Sequence, residues 1–393
     1  MEIVIIGGCG HVGLPLGIAF ASRGRKVCVY DLNDEAVATV NSGTMPFAEN
    51  GASDVLAEVV GAGLLVASSD PSVISDAQNV IVVIGTPVDE HLNPSPQAVP
   101  LAIEAVLDHL VDGQLLVLRS TLYPGVTAMV EKVIARAGRT IDVAFCPERI
   151  AEGYAMTELF QLPQIVSGRT DAAAGRAEEL FRVLTDKIVR TTPEEAELAK
   201  LFTNAWRYIK FATANQFYII ANDFGLDFET IRKALAFEYP RAQDMPSAGF
   251  AAGPCLFKDT MQLAAFNNNN FLLGHAGMMV NEGLPLYLVA RIEQRFDLSK
   301  MTVGILGMAF KAESDDTRSS LSYKLKRILE FRAEKVLCSD PYVTTDPKLV
   351  PDEQVLAESD LIVVGAPHRC YAALDPQVPV VDIWNVFGKG VRV

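Results

Sequence analysis

The sequence predicts an α/β chain in which two parallel-sheet domains are joined by a central helical domain with one long spine helix. Three observations carry this. Short, wholly apolar runs such as Ile3-Val4-Ile5-Ile6 and Leu361-Ile362-Val363-Val364 recur, as strands buried on both faces of a parallel sheet require. Such a run meets glycine turns at two places, Gly7-Gly8-Cys9-Gly10-His11-Val12-Gly13 and Gly304-Ile305-Leu306-Gly307. Between them a helical period holds from 192 to 224, about 45–50 Å at ~1.5 Å per residue.

The first half reads strand, glycine turn, apolar helix to Ser22, then a strand over Lys26-Val27-Cys28-Val29-Tyr30-Asp31 that ends in an acid. Further strands are expected at 79–84, 114–119 and 141–145, with helices between them as right-handed crossovers. Thr192-Pro193-Glu194-Glu195 starts the long helix, with Thr as N-cap, Pro at the first helical position and Glu at the third. So long and apolar a helix suits a spine that joins two domains and offers surface for a dimer. Helices follow at 228–237, 257–266 and 274–295. A second α/β unit opens near Met301, with strands at 302–307, 335–340, 361–364 and 379–382. The domains are therefore 1–191, 192–299 and 300–393, the first and last Rossmann-like.

Composition bounds the partners. The 393 residues are 50% hydrophobic and 21% charged, which excludes a disordered chain and supplies more than one core. A net charge of −14 argues against a nucleic-acid surface, which needs a basic patch. Cys9, Cys28, Cys146, Cys255, Cys338 and Cys370 are scattered without a CxxC pair, so reduced thiols are expected, with no disulfide framework and no metal site. Apolar runs stop short of the ~20 residues of a membrane span. No basic leader precedes the first strand. A soluble cytoplasmic protein, with neither membrane nor nucleic acid as partner, is the expectation.

Gly8-x-Gly10-x-x-Gly13 is a weak signal by itself, but here it follows a strand and opens a helix. Its glycines allow a tight turn and let backbone N–H groups meet a pyrophosphate at the helix N-terminus. Asp31 ends the next strand, where a carboxylate accepts from both ribose hydroxyls and repels a 2′-phosphate, so NAD is expected rather than NADP. Gly304-x-x-Gly307, followed by Met308-Ala309-Phe310-Lys311, lacks the full fingerprint. It suits either a phosphate cradle with Lys311 as counter-charge or plain packing.

Cys255 sits in Gly253-Pro254-Cys255-Leu256-Phe257-Lys258-Asp259. A turn followed by a helix puts the thiol near a helix N-terminus, which favours the thiolate; Asp259, four residues on, shares its face. A lone cysteine in an apolar chain is by default a small core residue, and this segment alone leaves both readings open.

The whole chain resembles the nucleotide-sugar dehydrogenase family, the UDP-glucose and GDP-mannose dehydrogenases. The motifs that carry the resemblance occur in order. They are Gly8-Cys9-Gly10-His11-Val12-Gly13, Gly85-Thr86-Pro87, Ser120-Thr121-Leu122-Tyr123-Pro124-Gly125 and Cys146-Pro147-Glu148-Arg149-Ile150-Ala151-Glu152-Gly153. Then come Glu197-Leu198-Ala199-Lys200 with Asn204, the Cys255 segment, and Gly304–Lys311 running into Asp315-Asp316-x-Arg318.

The resemblance implies oxidation of a sugar C6 alcohol to a carboxylate with two NAD. It implies Asp259 as base acting with Thr121 through a water, and Cys255 as the thiol that traps the aldehyde and then carries a thioester. Lys200 and Asn204, at i and i+4, would stabilise the oxyanions, and Glu148 would be the base for thioester hydrolysis. Gly8, Gly10, His11, Val12, Gly13, Asp31, Thr86, Thr121 and Glu152 fall at cofactor positions. Glu148, Lys200, Asn204, Arg241, Gly253, Lys258, Lys311 and Arg318 fall at substrate positions, with Arg241 reaching across a dimer interface. A homodimer or higher oligomer is implied.

The chain departs from the pattern in two places. Ala251 and Ala252 stand in the loop before Cys255, where the family carries glycines, and Asp382-Ile383-Trp384-Asn385 stands where the family often has Asp-x-Arg-Asn. Lys258-Asp259 looks like the UDP-glucose branch, whereas the Arg241-to-Cys255 spacing looks like the N-acetylhexosamine branch. Two other functions compete. A two-electron β-hydroxyacid dehydrogenase needs neither Cys255 nor residues 301–393. A non-catalytic nucleotide-sugar sensor has no use for a nucleophile and a base.

Overall fold

The computed structural model describes every residue of the chain except 87, 90 and 92, so Pro87 of the Gly85-Thr86-Pro87 motif lies outside the described residues. Two compact units divide the chain, Met1–Thr203 and Asn204–Val393.

The first unit runs β1 (Ile3–Ile6), α1 (Gly13–Ser22), β2 (Val27–Tyr30), α2 (Asp34–Asn41), α3 (Ser53–Gly61), β3 (Leu65–Ser68), β4 (Asn79–Val82) and α4 (Ala98–Ala105). It continues with β5 (Leu115–Leu118), α5 (Val126–Arg136), β6 (Asp142–Phe145), α6 (Ala155–Gln161), β7 (Gln164–Gly168), α7 (Asp171–Arg182), β8 (Ile188–Thr191) and the start of α8 (Pro193–Asp223). The eight strands lie in the order β3-β2-β1-β4-β5-β6-β7-β8. The strands expected near 3, 26, 79, 114 and 141 are all present; β3, β7 and β8 are additional. One neighbour pair breaks the parallel pattern: β7 runs antiparallel to β6, with Phe145 opposite Ser167.

Side-chain alternation shows why the central strands are apolar throughout. Ile3 and Ile5 enter one core with Leu115 and Val117, whereas Val4 and Ile6 enter the other with Leu116 and Leu118. Each of these central strands thus supplies both faces of the sheet. The strand order reverses between β1 and β4, so the crevice beyond their C-terminal ends is the switch point at which such sheets bind ligands.

α8 starts as its sequence predicts. Thr192 N–H donates to Glu195 Oε2 at 2.8 Å and Glu195 N–H to Thr192 Oγ1 at 3.4 Å, a reciprocal capping box.

The second unit contains the rest of α8, then α9 (Phe228–Ala236), α10 (Leu256–Phe266), α11 (Leu272–Glu293), β9 (Thr302–Leu306), α12 (Leu321–Glu330), β10 (Lys335–Ser339), α13 (Asp352–Glu358), β11 (Leu361–Val364) and β12 (Val380–Val381). Its four strands are parallel in the order β10-β9-β11-β12. Helices and sheet share one core: Ala214, Tyr218, Phe250, Leu284 and Leu288 pack with Val303, Ile305, Leu321 and Leu325. The chain end joins it, with Val391 N–H on Asp227 Oδ1 and Val393 N–H on Asn222 Oδ1, each at 2.8 Å. Among the described residues no helix is long and apolar enough to cross a membrane.

Candidate active site

In the first unit the chain leaves β1 through Gly7–Val12 and enters α1, whose N-terminus no side chain caps among the described residues. That end is open to an anion. A Cβ at Gly13 would lie 2.6 Å from the Gly7 carbonyl oxygen, so helix–strand packing requires glycine there. One at Gly10 would meet nothing nearer than the same oxygen at 3.6 Å. The clearance at Gly10 therefore opens outward, as a close-approaching pyrophosphate needs.

Asp31 sits beside this turn. Its Oδ2 accepts the Cys9 N–H at 3.0 Å and its Oδ1 the Asn33 N–H at 3.1 Å, and the residue stays half-exposed, with capacity left for ribose hydroxyls. Burial and the Asp31 charge push the Cys9 thiol up to about 12, so that thiol stays neutral. The His11 ring stacks on Phe47 with centroids 4.0 Å apart, and its Nε2 lies 3.9 Å from Glu152 Oε1. Glu152 thus joins the rim of the glycine turn, carried there by the irregular 146–153 segment. Thr86 is half-buried just past β4. These groups fit NAD.

Glu148 is held by a residue that the sequence reading passed over. Arg119, fully buried at the end of β5, donates from Nε and Nη2 to Glu148 Oε2 at 2.9 and 2.5 Å, and from Nη1 to the Cys146 carbonyl at 3.0 Å. Its guanidinium lies 4.6 Å from the centroid of Phe181. Glu148 Oε1 accepts the Arg149 and Ile150 N–H groups at 2.7 and 3.1 Å. The buried charges neutralise each other, as they must. Because both Glu148 oxygens are engaged, proton transfer through Glu148 requires one of these bonds to open.

Thr121 follows Ser120, whose Oγ accepts the Ile84 N–H at 2.8 Å. Glu197 was also missed as an individual residue. Fully buried on α8, it takes the Gly125 N–H at 2.7 Å, the Thr127 N–H at 2.8 Å and the Thr127 hydroxyl at 2.6 Å. It caps α5 and ties the loop carrying Thr121 to α8, one turn before Lys200.

The second unit brings four predicted residues together. Cys255 is exposed and stands at the N-cap of α10, the end of a helix that favours negative charge. The Asp259 N–H donates to the Cys255 carbonyl at 2.9 Å, so the thiol and the carboxylate share a helix face one turn apart. Asp259 is fully buried. Asn204 Nδ2 donates to its Oδ2 at 2.5 Å, and Lys258 Nζ lies 3.0 Å from its Oδ1. Lys258, expected among the substrate contacts, thus pairs with the proposed base.

The remaining candidates are more dispersed. Lys311 Nζ lies 5.6 Å from the Phe310 ring centroid. Arg318 donates from Nε to both Asp316 oxygens, at 3.0 and 2.8 Å. Arg241 is exposed and lies over Tyr239, 5.6 Å from its centroid.

Asp340 ends β10 as Asp31 ends β2, but its carboxylate is already used. Oδ2 accepts the Met308 and Ala309 N–H groups at 2.7 and 2.9 Å, and Oδ1 the Tyr342 N–H at 2.9 Å. The fully buried His368 completes the set. Its Nδ1 accepts the Glu313 N–H at 3.0 Å, which assigns the ring proton to Nε2, 3.0 Å from Asp340 Oδ2. Burial alone would raise the Asp340 carboxyl; the His368 contact and the backbone N–H groups outweigh it and hold it below the usual range.

Comparison with known proteins agrees with this anatomy. Models of the UDP-glucose/GDP-mannose dehydrogenase family match in order: the NAD binding domain over residues 1–185, the central domain over 194–282 and the UDP binding domain over 304–389. The UDP-N-acetyl-D-mannosamine dehydrogenase of Pyrococcus horikoshii is 30% identical, covering 100% of this chain and 93% of its own. That of Yersinia pestis is 29% identical, with 99% of each chain covered. A solved UDP-glucose dehydrogenase from Pyrobaculum islandicum superposes with a TM-score of 0.90 at 26% identity, covering 97% of this chain and 93% of that one.

Two predictions follow from the geometry. Asp31→Asn will narrow the preference for NAD over NADP at least about tenfold, since one charged contact is worth on the order of 1.5–3 kcal/mol; steady-state kinetics with both cofactors will show it. Native alkylation with iodoacetamide, read by peptide mass spectrometry, will label Cys255 first and Cys370 more slowly. Burial and the Asp352 and Glu313 charges raise the Cys370 thiol, and Cys9, Cys28, Cys146 and Cys338 are buried.

Proposed function

The chain belongs to the UDP-glucose/GDP-mannose dehydrogenase family and is an NAD-dependent nucleotide-sugar dehydrogenase, and within that class we propose a four-electron oxidation of a UDP-N-acetylhexosamine to its uronate through Cys255. The single observation that carries this is the Cys255 thiol at the start of α10, one turn from a buried Asp259 held by Asn204 and Lys258. The manno epimer is the first substrate to test. Its support is the naming of the relatives 29–30% identical over nearly the whole chain, together with the Arg241-to-Cys255 spacing.

NAD, when bound, accepts the hydride at each oxidation. Asp259 takes the proton of the C6 hydroxyl, with Thr121 as its proposed helper. Cys255 Sγ then adds to the aldehyde carbon, so the reactive carbonyl is retained as a thiohemiacetal. Loss of the second hydride leaves a thioester on Sγ. Water cleaves the C–S bond, the carboxylate leaves and the thiol is restored. Lys200 and Asn204 supply a cation and an amide donor for the oxyanions of these steps. Glu148 is the proposed base for the water and requires one of its bonds to open. Gly253, Lys258, Arg241, Lys311 and Arg318 are the proposed substrate contacts, the last two for the diphosphate.

The protein is proposed to work as a dimer through α8 and α9. Phe217 and Ile220 on α8 and Phe224 just past its end are exposed, Phe224 at 80%, and Ile231 and Leu235 on α9 continue the same apolar lining. A single chain would leave that lining in water.

Cys255→Ser will lower uronate formation at least about 10³-fold while the Kd for the sugar nucleotide stays within about twofold; full activity would remove the covalent step. Light scattering will give a mass of at least twice the chain, and a monomer would contradict the dimer.

A further inference from the structure

We propose that Trp384 is a positioning residue for the Cys255 nucleophile, its indole forming the wall against which the loop ahead of Cys255 is set. The inference rests on Cys255 being the nucleophile. Trp384 stands where the sequence departs from the family pattern, and the two alanines of the loop are the other departure.

Trp384 packs on the loop that carries the two alanines, at Gly249 and Phe250. Gly249 has φ +152°, a backbone state that side chains rarely adopt, and a Cβ there would run into the Trp384 ring. The ring therefore lies directly on the Gly249 backbone. Asn215 of α8 also grips the same glycine twice. Its Nδ2 donates to the Gly249 carbonyl and its Oδ1 accepts the Gly249 N–H, each at 2.9 Å. Asn215 is in turn fixed by Asn281 Oδ1 at 2.9 Å. Gly249 is thus held by a buried amide pair and covered by an indole.

The indole is itself anchored. Its Nε1–H donates to the Gly365 carbonyl at 3.2 Å, just past β11, and Phe250 meets the ring edge-to-face with centroids 6.2 Å apart. Asp382 accepts the Trp384 and Phe387 N–H groups at 3.1 and 2.9 Å and so fixes the backbone that carries the ring.

From Gly249 the constraint passes to Cys255 with little slack. Ala252 N–H closes on the Phe250 carbonyl at 3.0 Å, and Gly253 N–H reaches the Ser319 carbonyl at 3.3 Å. Gly253 has φ +100°, and a Cβ there would lie 2.6 Å from the Phe310 ring. Two aromatic rings, Trp384 and Phe310, thus press on the two glycines that need it, which leaves Ala251 and Ala252 at ordinary φ. The loop keeps glycine at the two positions where these rings press and has alanine at 251 and 252 between them. Misplacing a reacting group by about 1 Å costs about 10² in rate, so a loop pinned at both ends serves turnover more than binding.

The experiment uses the full-length protein and its Trp384→Ala, Trp384→Phe and Cys255→Ser variants. It reads kcat, both KM values and the iodoacetamide alkylation rate of Cys255 without substrate. Trp384→Ala is expected to lower kcat about tenfold or more and to change the Cys255 alkylation rate at least about threefold, with the KM for NAD within about twofold. Trp384→Phe, which keeps a ring against Gly249, is expected to retain at least about half of kcat. Trp384→Ala with kcat and alkylation rate both within twofold of the parent would overturn the proposal, even if its Tm falls. Equal losses in the Phe and Ala variants would also overturn it. Should Trp384→Ala not fold, Gly249→Ala presses on the same contact from the other side; a parental kcat there would likewise overturn it. Uronate formation by Cys255→Ser at the parental rate would sink the nucleophile reading itself, whatever the Trp384 variants do.

Discussion

A chain that leaves a parallel sheet exposes backbone N–H groups with no strand partner, and buried ones must find an acceptor. In this protein carboxylates supply it. Asp31 takes the Cys9 N–H of the first glycine turn, Glu148 those of Arg149 and Ile150, and Glu197 those of Gly125 and Thr127. Glu49 takes those of Gly153 and Ala155, and Asp340 those of Met308 and Ala309. Hydrogen bonds to a charged acceptor are worth about 1.5–3 kcal/mol each. Held this way, a loop carries its functional side chain in one place, which catalysis by orientation requires.

The two halves use the same device to different ends. Both have an acid after the second strand of the unit, but Asp31 is half-exposed with one backbone N–H on each oxygen, whereas Asp340 is buried beneath several donors and His368. The first acid can still meet a ribose; the second is spent on shaping its own glycine turn. That difference is the physical reason why a dinucleotide belongs to the first half. The contacts proposed for the nucleotide in the second half, Lys311 and Arg318, are accordingly cations and not a strand-end acid.

Local features were the most legible. The glycine turns, the buried strands and the capping box of α8 depend on neighbours within a few residues, and the long helix begins and ends within a residue of its expected bounds. The edge strands β3 and β8 were missed because each is short and partly exposed, so neither gives a continuous apolar run. The antiparallel turn of β7 has no local signature at all. In the site, helical spacing put Cys255 and Asp259 on one face, but that segment alone left both readings open, and the family resemblance made Cys255, Asp259 and Lys258 candidates. The Arg119–Glu148 pair, the His368–Asp340 contact and the ring of Trp384 on Gly249 join residues 28 or more positions apart. No periodicity announces such contacts. The glycine-poor loop was visible as a departure, but its meaning needed the aromatic rings that pack on it.

In the proposed mechanism one thiol carries the sugar through two successive oxidations. The measurement that tests it most directly is NADH formed per sugar consumed, with UDP-N-acetyl-D-mannosamine, UDP-glucose and GDP-mannose offered separately. The account predicts two NADH per sugar, with the N-acetylhexosamine preferred. One NADH per sugar, with an aldehyde as the product, would contradict it and leave Cys255 without a role.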